Sequence, residues 1–237
     1  MLFRSMILGE DGVKMSKSRG NVINPNDVVD EFGADTLRLY IMFIGDFEKT
    51  APWSTNAVKG CKRFLDRVWN LSENKLPGDN LGYSKTHESA IHRAIKKVGE
   101  DIENLKFNTA IATLMALVND FHETAPSRGD IKTLLTLLSP FAPHIAEELW
   151  KIQGFAGIAC CEKWPEYDES KTVDAECEIA VQVGGKLKTT VIIPVDSDDQ
   201  TLIAAACNDE KIQRLMEGRE IVRTIVVKNK LVNLILK

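Results

Sequence analysis

The sequence has little of what marks an exported or membrane-embedded chain. Its longest apolar runs, such as residues 37–44 and 134–138, contain a charge or stop far short of the roughly 20 residues that a membrane span needs. The first residues carry no apolar stretch of signal-peptide length, and we interpret Met1 as an internal or artificial start. The five cysteines form no C-x-x-C pair, and an odd number argues against a disulfide framework. These absences predict a protein of the reducing cytoplasm with no membrane partner.

The chain also has no excess of positive charge and few histidines. Its net charge is −4 over 237 residues, so charge alone does not hold it on nucleic acid. Any nucleic-acid site must therefore be a local basic patch. His144 lies near Glu147 and Glu148, but the second histidine of a helical zinc site is missing, and Pro143 favours the start of a helix there. We predict no metal site.

What the sequence does contain is a long helical pattern. Asn24 and Pro25 suit the cap and the first position of a short helix, which Gly33 separates from a second helix over 35–44. From Ser54, apolar residues recur at helical spacing for about a hundred residues, and a last helix is predicted from Pro143. Four or five amphipathic helices with short links predict a bundle. Its apolar stripes are Val58, Cys61, Phe64, Leu65, Val68 and Trp69; Ile91, Ala94, Ile95, Val98, Ile102 and Leu105; Ile111, Leu114, Met115, Val118 and Phe121; and Ile131, Leu134, Leu135 and Leu138.

The pattern changes after the bundle. Residues 154–171 show neither the helical nor the strand period and are predicted to be a linker. Gly184-Gly185 is then a two-residue hairpin signal between alternating apolar residues. Two short helices come next, and a second hairpin is predicted to turn at Asn229. The expected fold is mainly α, followed by a small α+β domain, with divisions at 1–50, 51–153, 154–171 and 172–237.

The most informative residues form the segment Lys14-Met15-Ser16-Lys17-Ser18, with Gly12 and Gly20 on either side. Two lysines and two serines are also compatible with an ordinary solvated basic loop. The pentamer is identical, however, to the KMSKS loop of class I aminoacyl-tRNA synthetases. Residues 20–23, Pro25 and residues 33–36 with Arg38 resemble the segment after that loop in the same family. Residues 1–50 are therefore expected to be the loop and the end of a catalytic domain.

The resemblance implies a role in ATP chemistry. Adenylate formation places negative charge on phosphate oxygens and on the leaving pyrophosphate, where an ammonium group is a suitable stabilising charge. Lys17 is the candidate for that catalytic role, with Lys14 as the supporting cation. Ser16, Ser18 and Met15 are expected to contact ATP beside Lys17. Mg²⁺ is expected to accompany ATP, held largely by phosphates and water.

The rest of the chain resembles the bacterial-type leucyl-tRNA synthetases. Residues 107–111 and 138–150 are similar to the anticodon-binding helical domain of leucyl, isoleucyl and valyl enzymes. The resemblance implies a parent enzyme that attaches leucine to tRNA(Leu) through leucyl adenylate. The chain itself lacks the rest of that active site, so alone it is expected to be inactive, and it is expected to be a monomer. The similarity to leucyl enzymes in particular rests on Glu48 with Trp53 and Ser54, and on residues 181–187, 209–212, 225–227 and 231–233.

Contacts to tRNA(Leu) are expected on two basic surfaces, one on the first bundle helix and one on the final hairpin. For any single residue, an ordinary solvated face is the competing interpretation. Two alternatives for the whole chain stay open: part of a valyl or isoleucyl synthetase, or a free-standing RNA-binding module with an inert loop. The candidate residues are Lys59, Lys62, Arg63 and Arg67, and then Arg219, Arg223, Lys228 and Lys230.

Overall fold

The structure of the chain, a computed structural model, describes residues 7–45, 49–78, 80–172, 176–195, 197–216, 219, 221–228 and 230–237. The chain divides into two compact units, residues 1–172 and residues 173–237. The similarity noted at Glu48 and the predicted turn residue Asn229 lie outside the described residues. No described helix has both the length and the apolar composition to cross a membrane.

The larger unit combines one short pair of strands with seven α-helices among its described residues. Strand β1 (Ile7–Leu8) pairs in parallel with β2 (Ala51–Pro52), a contact that the sequence did not predict. This pairing places the start of the loop segment beside the residues that lead into the bundle. The helices are α1 (Pro25–Phe32), α2 (Ala34–Phe43), α3 (Thr55–Ser72), α4 (Glu88–Glu103), α5 (Phe107–Glu123), α6 (Arg128–Leu138) and α7 (Pro143–Gln153).

Side-chain caps set the starts of the first helices. Asn24 accepts a hydrogen bond from the backbone N–H of Asn26 at 3.2 Å, and Pro25 occupies the first helical position. Ser54 accepts from the N–H of Ala57 at 3.3 Å at the start of α3. Each cap satisfies a backbone donor that has no partner inside the helix. The helix starts predicted at these two places are confirmed.

One apolar core fills the larger unit, and nearly all the predicted stripe residues belong to it. Trp69, Ile102 and Met115 are half-buried at its margin. Leu105 is the exception, because it is 57% exposed. It follows the end of α4 and has a positive φ of 57°, so the helical period no longer applies there. The fully or almost fully buried stripe residues are Val58, Cys61, Phe64, Leu65, Val68, Ile91, Ala94, Ile95, Val98, Ile111, Leu114, Val118, Phe121, Ile131, Leu134, Leu135 and Leu138.

The segment predicted as a linker packs against the bundle, which differs from the expectation. Phe155 stacks edge-on against Trp150 with ring centroids 4.8 Å apart. Further along, Lys171 pairs with Glu88 of α4 at 2.6 Å, and the carbonyl of Thr172 accepts from the Arg93 side chain. The apolar residues of segment 154–171 show no regular spacing because the segment is irregular. Individual side-chain contacts nevertheless hold it against the bundle, and these contacts leave no periodic pattern in the sequence. The boundary between the two units falls after residue 172.

Among its described residues, the smaller unit contains a four-stranded sheet and two helices. The strand order is β4-β3-β6-β5, in which β3–β4 and β5–β6 are the two predicted antiparallel hairpins. Gly184 and Gly185 turn the first hairpin with φ of 58° and 79°, values that suit glycine. The parallel pairing of β3 with β6, which joins the hairpins, was not predicted. The elements are β3 (Glu176–Val183), β4 (Lys186–Pro194), α8 (Asp199–Asn208), α9 (Glu210–Met216), β5 (Ile221–Val227) and β6 (Leu231–Leu236).

Candidate functional site

The candidate ATP loop is a short excursion between β1 and α1. It leaves the strand through a turn at Gly12, which has φ of 72°, and contains one 3₁₀ turn over Lys17–Arg19. Gly20 ends that turn with φ of 67°, and its N–H donates to the carbonyl of Lys17 at 3.2 Å. Both glycines occupy left-handed backbone conformations that other residues adopt at a cost. Gly12 and Gly20, which flank the pentamer, therefore have a direct conformational role.

The two lysines of the loop are exposed. Across the part of the chain that the structure describes, neither Lys14 nor Lys17 takes part in an ion pair. Ser18 is exposed and Ser16 half-buried, with their hydroxyl oxygens 3.3 Å apart. Met15 differs from the other loop residues because it packs against the core of the larger unit. Four of the five loop side chains are thus open to a ligand, whereas Met15 anchors the loop.

Asp11 and Asn21 connect the two ends of the loop. The Asn21 amide nitrogen lies 3.2 Å from Oδ2 and 3.4 Å from Oδ1 of Asp11. On its other side, Asn21 Oδ1 accepts from the backbone N–H of Ser16 at 2.9 Å. Asp11 Oδ1 also accepts from the N–H of Val13 at 3.0 Å. A single side chain, Asn21, therefore contacts both the entry and the middle of the loop.

Glu10 attaches the turn before the loop to the first bundle helix. Its Oε1 accepts from the Thr55 hydroxyl at 2.6 Å and from the Thr55 backbone N–H at 3.2 Å. These two hydrogen bonds, the hydroxyl contact first, hold the pKa of Glu10 below its usual range. The N–H belongs to the first turn of α3, where a carboxylate is also favoured by the helix dipole. The entry to the loop is thus fixed to the start of α3.

A second attachment joins α2 to the start of α7 and to the turn before it. The carboxylate of Asp35 accepts from Nδ1 of His144 and from the backbone N–H of Ile145, both at 2.7 Å. Arg38 donates to the carbonyl of Pro140 at 3.2 Å. His144 lies in the first turn of α7, as its place after Pro143 predicted. Within the described residues there is no group of three His, Cys, Asp or Glu that could hold a metal ion.

The basic residues of α3 lie at its surface in two settings. Lys59 and Arg63 are exposed and one helical turn apart, on the same side of the helix. Arg67, one turn further, donates to the Asn119 side chain at 2.6 Å. Lys62 is half-buried and forms an ion pair with Asp66. The four candidates therefore do not form one uniform patch.

The basic residues of the tail are exposed in the smaller unit. Arg223 lies on β5, while Lys228 and Lys230 flank the turn between β5 and β6. Arg219 precedes β5, and its N–H donates to the carbonyl of Met216 at 2.9 Å. All four side chains are exposed, which is compatible with contact to phosphates and with a solvated edge alike.

Comparison with known families matches two parts of the chain. Residues 85–203 match the model described as the anticodon-binding domain of tRNA ligase, and residues 1–54 match the model of class I tRNA synthetases (I, L, M and V). The first match covers just over half of the chain. The chain therefore belongs to the family of the anticodon-binding domain of tRNA ligases.

The individual relatives are leucine–tRNA ligases. The protein of that name from Alkaliphilus oremlandii is 55% identical over 98% of this chain, and those of Chloroherpeton thalassium and Herpetosiphon aurantiacus are 47% and 44% identical over 99% and 100%. The chain spans about 30% of the length of these relatives. Among solved structures, it is similar to the LeuRS of Agrobacterium radiobacter K84 in a ternary complex with tRNA and LeuAMS. That likeness has a TM-score of 0.67 at 29% identity and covers 98% of this chain and 33% of the solved chain.

The sequence singles out the loop lysines as candidates but does not indicate the residues that hold the loop. Asp11 and Asn21 lie beside the pentamer, yet no local pattern indicates that their side chains meet across it. Glu10 and Asp35 were also assigned no role in fixing the loop segment to the bundle. Each of these carboxylates contacts the start of a helix that is distant in the sequence, α3 for Glu10 and α7 for Asp35. No local sequence pattern indicates such a contact.

Proposed function

We propose that the chain is the C-terminal part of a leucine–tRNA ligase, an enzyme that uses ATP to attach leucine to tRNA(Leu) through leucyl adenylate. The observation that carries the proposal is the 55% identity to a leucine–tRNA ligase over 98% of the chain. Two features of the described residues support it: a loop with two lysines outside any ion pair, and a helical bundle attached directly to that loop segment. The valyl and isoleucyl alternatives lack comparable support among these relatives.

In this proposal, Lys17 stabilises the charge that develops on the phosphates of ATP, and Lys14 assists. An exposed ammonium group without a carboxylate partner has all three N–H donors available for phosphate oxygens. Ser16 and Ser18 supply hydroxyl donors from the same turn. Met15 packs into the core, so we assign it to loop anchoring rather than to ATP contact. Mg²⁺ enters with ATP and is held by phosphate oxygens and water.

The bundle and the tail are proposed to bind tRNA(Leu). Lys59 and Arg63 are the best placed residues of α3, because both are exposed on one side of the helix. Lys62 is the weakest candidate, since its ammonium group is already paired with Asp66. In the tail, the exposed cations Arg219, Arg223, Lys228 and Lys230 are proposed to contact the RNA backbone rather than individual bases.

Replacement of Lys17 by alanine in the full-length ligase that contains this chain tests the proposal. Leucine-dependent exchange of pyrophosphate into ATP should fall by about 100-fold or more, because charge stabilisation in the transition state is worth several kcal/mol. Lys85→Ala serves as the matched control, since Lys85 is an exposed lysine far along the chain from the loop. Near-parental exchange by a folded Lys17→Ala enzyme would refute the role of Lys17.

A further inference from the structure

The loop that carries Lys14 and Lys17 has few contacts of its own, and Asn21 makes the most extensive of them. Its amide group donates to the Asp11 carboxylate and lies 3.5 Å from the Lys14 carbonyl oxygen. Its carbonyl oxygen accepts from the Ser16 N–H at 2.9 Å. These contacts fix the backbone on both sides of Met15 and directly before Lys17. None of them uses an atom that the proposed ATP chemistry needs.

Gly9 provides an independent sign that the Asp11–Asn21 pair is closely fitted. A Cβ atom added at Gly9 would lie 2.6 Å from Oδ1 of Asp11 and 2.9 Å from the amide nitrogen of Asn21. At such distances one of the groups must move. Gly9 is itself buried, and its N–H donates to the Val13 carbonyl at 2.8 Å. The backbone after β1 thus passes directly against the pair, and a side chain at position 9 would displace one of its two polar groups.

We propose that Asn21 and Asp11 are positioning residues that hold the loop so that Lys17 meets the phosphates of ATP. This inference rests on the proposed function, because it concerns the rate of adenylate formation. Asn21 acts through the backbone of Lys14 and Ser16, and Asp11 acts by orienting the Asn21 amide. The Glu10 attachment to Thr55 fixes the residue just before Asp11, so the pair holds the loop relative to α3 rather than only to itself.

The chemistry of the pair predicts a specific pattern of variants. Asn21→Ala removes every Asn21 side-chain contact across the loop without changing the charge. Asn21→Asp places a second carboxylate within about 3 Å of Asp11, where like charges repel and no donor remains. Adding Asp11→Asn to the Asn21→Asp chain exchanges the two groups and restores the pair. The amide now at position 11 can donate to the carboxylate at position 21, which still accepts from the Ser16 N–H.

The test is pyrophosphate exchange by the full-length ligase. We expect Asn21→Ala and Asn21→Asp to lower kcat by about 10- to 100-fold, since small misplacement of a catalytic group has effects of this size. The KM for leucine and the melting temperature should stay near their parental values. The double variant Asp11→Asn with Asn21→Asp should recover most of the lost rate. An effect of charge alone predicts instead that Asn21→Ala is harmless.

A double-mutant cycle with Lys17→Ala shows whether the pair acts through Lys17. If it does, Asn21→Ala causes no further loss in the Lys17→Ala background, because the group that it positions is already absent. Parental kcat for Asn21→Ala, or an undiminished further loss in that background, would overturn the inference. Failure of the proposed function would look different, since the parental enzyme would then show no leucine-dependent exchange, and failure of the role of Lys17 would leave Lys17→Ala at the parental rate.

Discussion

Replacing Asp35 with alanine should destabilise the larger unit, because this carboxylate joins α2 to the start of α7. Its side chain is only 10% exposed and accepts two hydrogen bonds of 2.7 Å. One donor is the backbone N–H of Ile145, which belongs to the first turn of α7 and has no partner within that helix. The other is the imidazole of His144, whose side chain is 75% exposed.

The two contacts differ in what they contribute. Loss of the carboxylate leaves the Ile145 N–H at the helix N-terminus without its partner in a half-buried place, which costs about 1–3 kcal/mol. The contact with His144 contributes at most about 1 kcal/mol, because solvent screens an exposed pair. We therefore expect Asp35→Ala to lower the free energy of unfolding by about 1–4 kcal/mol, and His144→Ala by less than about 1 kcal/mol. Asp35→Asn keeps one acceptor and should fall between these values.

Urea unfolding of the 237-residue chain, followed by far-ultraviolet circular dichroism, measures these differences. The signal comes mainly from the larger unit, which contains seven of the described α-helices. A thermal scan should show a fall of roughly 2–4 °C in midpoint for each kcal/mol lost in a unit of this size. A free energy of unfolding for Asp35→Ala within about 0.5 kcal/mol of the parent would contradict the reasoning, as would an equal effect of His144→Ala.

Two further predictions concern the smaller unit and its connection. Limited proteolysis should leave residues 154–172 protected and separate the units beyond Thr172, because Phe155, Lys171 and Thr172 contact the bundle. Mass spectrometry of early fragments checks this, and rapid cleavage between Gly154 and Thr172 would count against it. Removing residues 173–237 from the full-length ligase should impair tRNA charging far more than pyrophosphate exchange, since the loop around Lys17 belongs to the other unit. Equal charging by the truncated enzyme, with unchanged apparent affinity for tRNA, would show that the exposed basic residues of the tail are only a solvated edge.

The local elements of the fold could be predicted because their signals are local. The caps at Asn24 and Ser54, the apolar period of α3 to α6, and the double glycine of the first hairpin each act over a few residues. Leu105 was wrongly assigned to a buried stripe. The apolar spacing continues to Leu105 in the sequence, but the helix has already ended there. Helix ends are set by caps and tertiary contacts that a period does not contain.

The long-range contacts could not be predicted in the same way. The parallel pairing of β3 with β6 joins residues about fifty positions apart, and nothing in either strand specifies its partner. Residues 154–171 were predicted as a linker because they lack a period, although individual aromatic and charged side chains hold them on the bundle. In the candidate site, Lys14 and Lys17 could be proposed as ligand contacts from their residue type and motif. The contact between Asp11 and Asn21 could not be predicted, because neither residue type specifies its partner.

The loop segment is attached to the bundle by hydrogen bonds on both sides of the loop. Glu10 contacts the start of α3 before the loop, and Asp35 contacts the start of α7 after it. Both carboxylates accept from backbone N–H groups at helix N-termini, and Glu10 also accepts from the Thr55 hydroxyl. Between them, the exposed part of the loop is braced chiefly by Asn21. These attachments therefore hold the segments on both sides of residues 12–20, and within the loop Asn21 and the packing of Met15 hold the backbone next to Lys17.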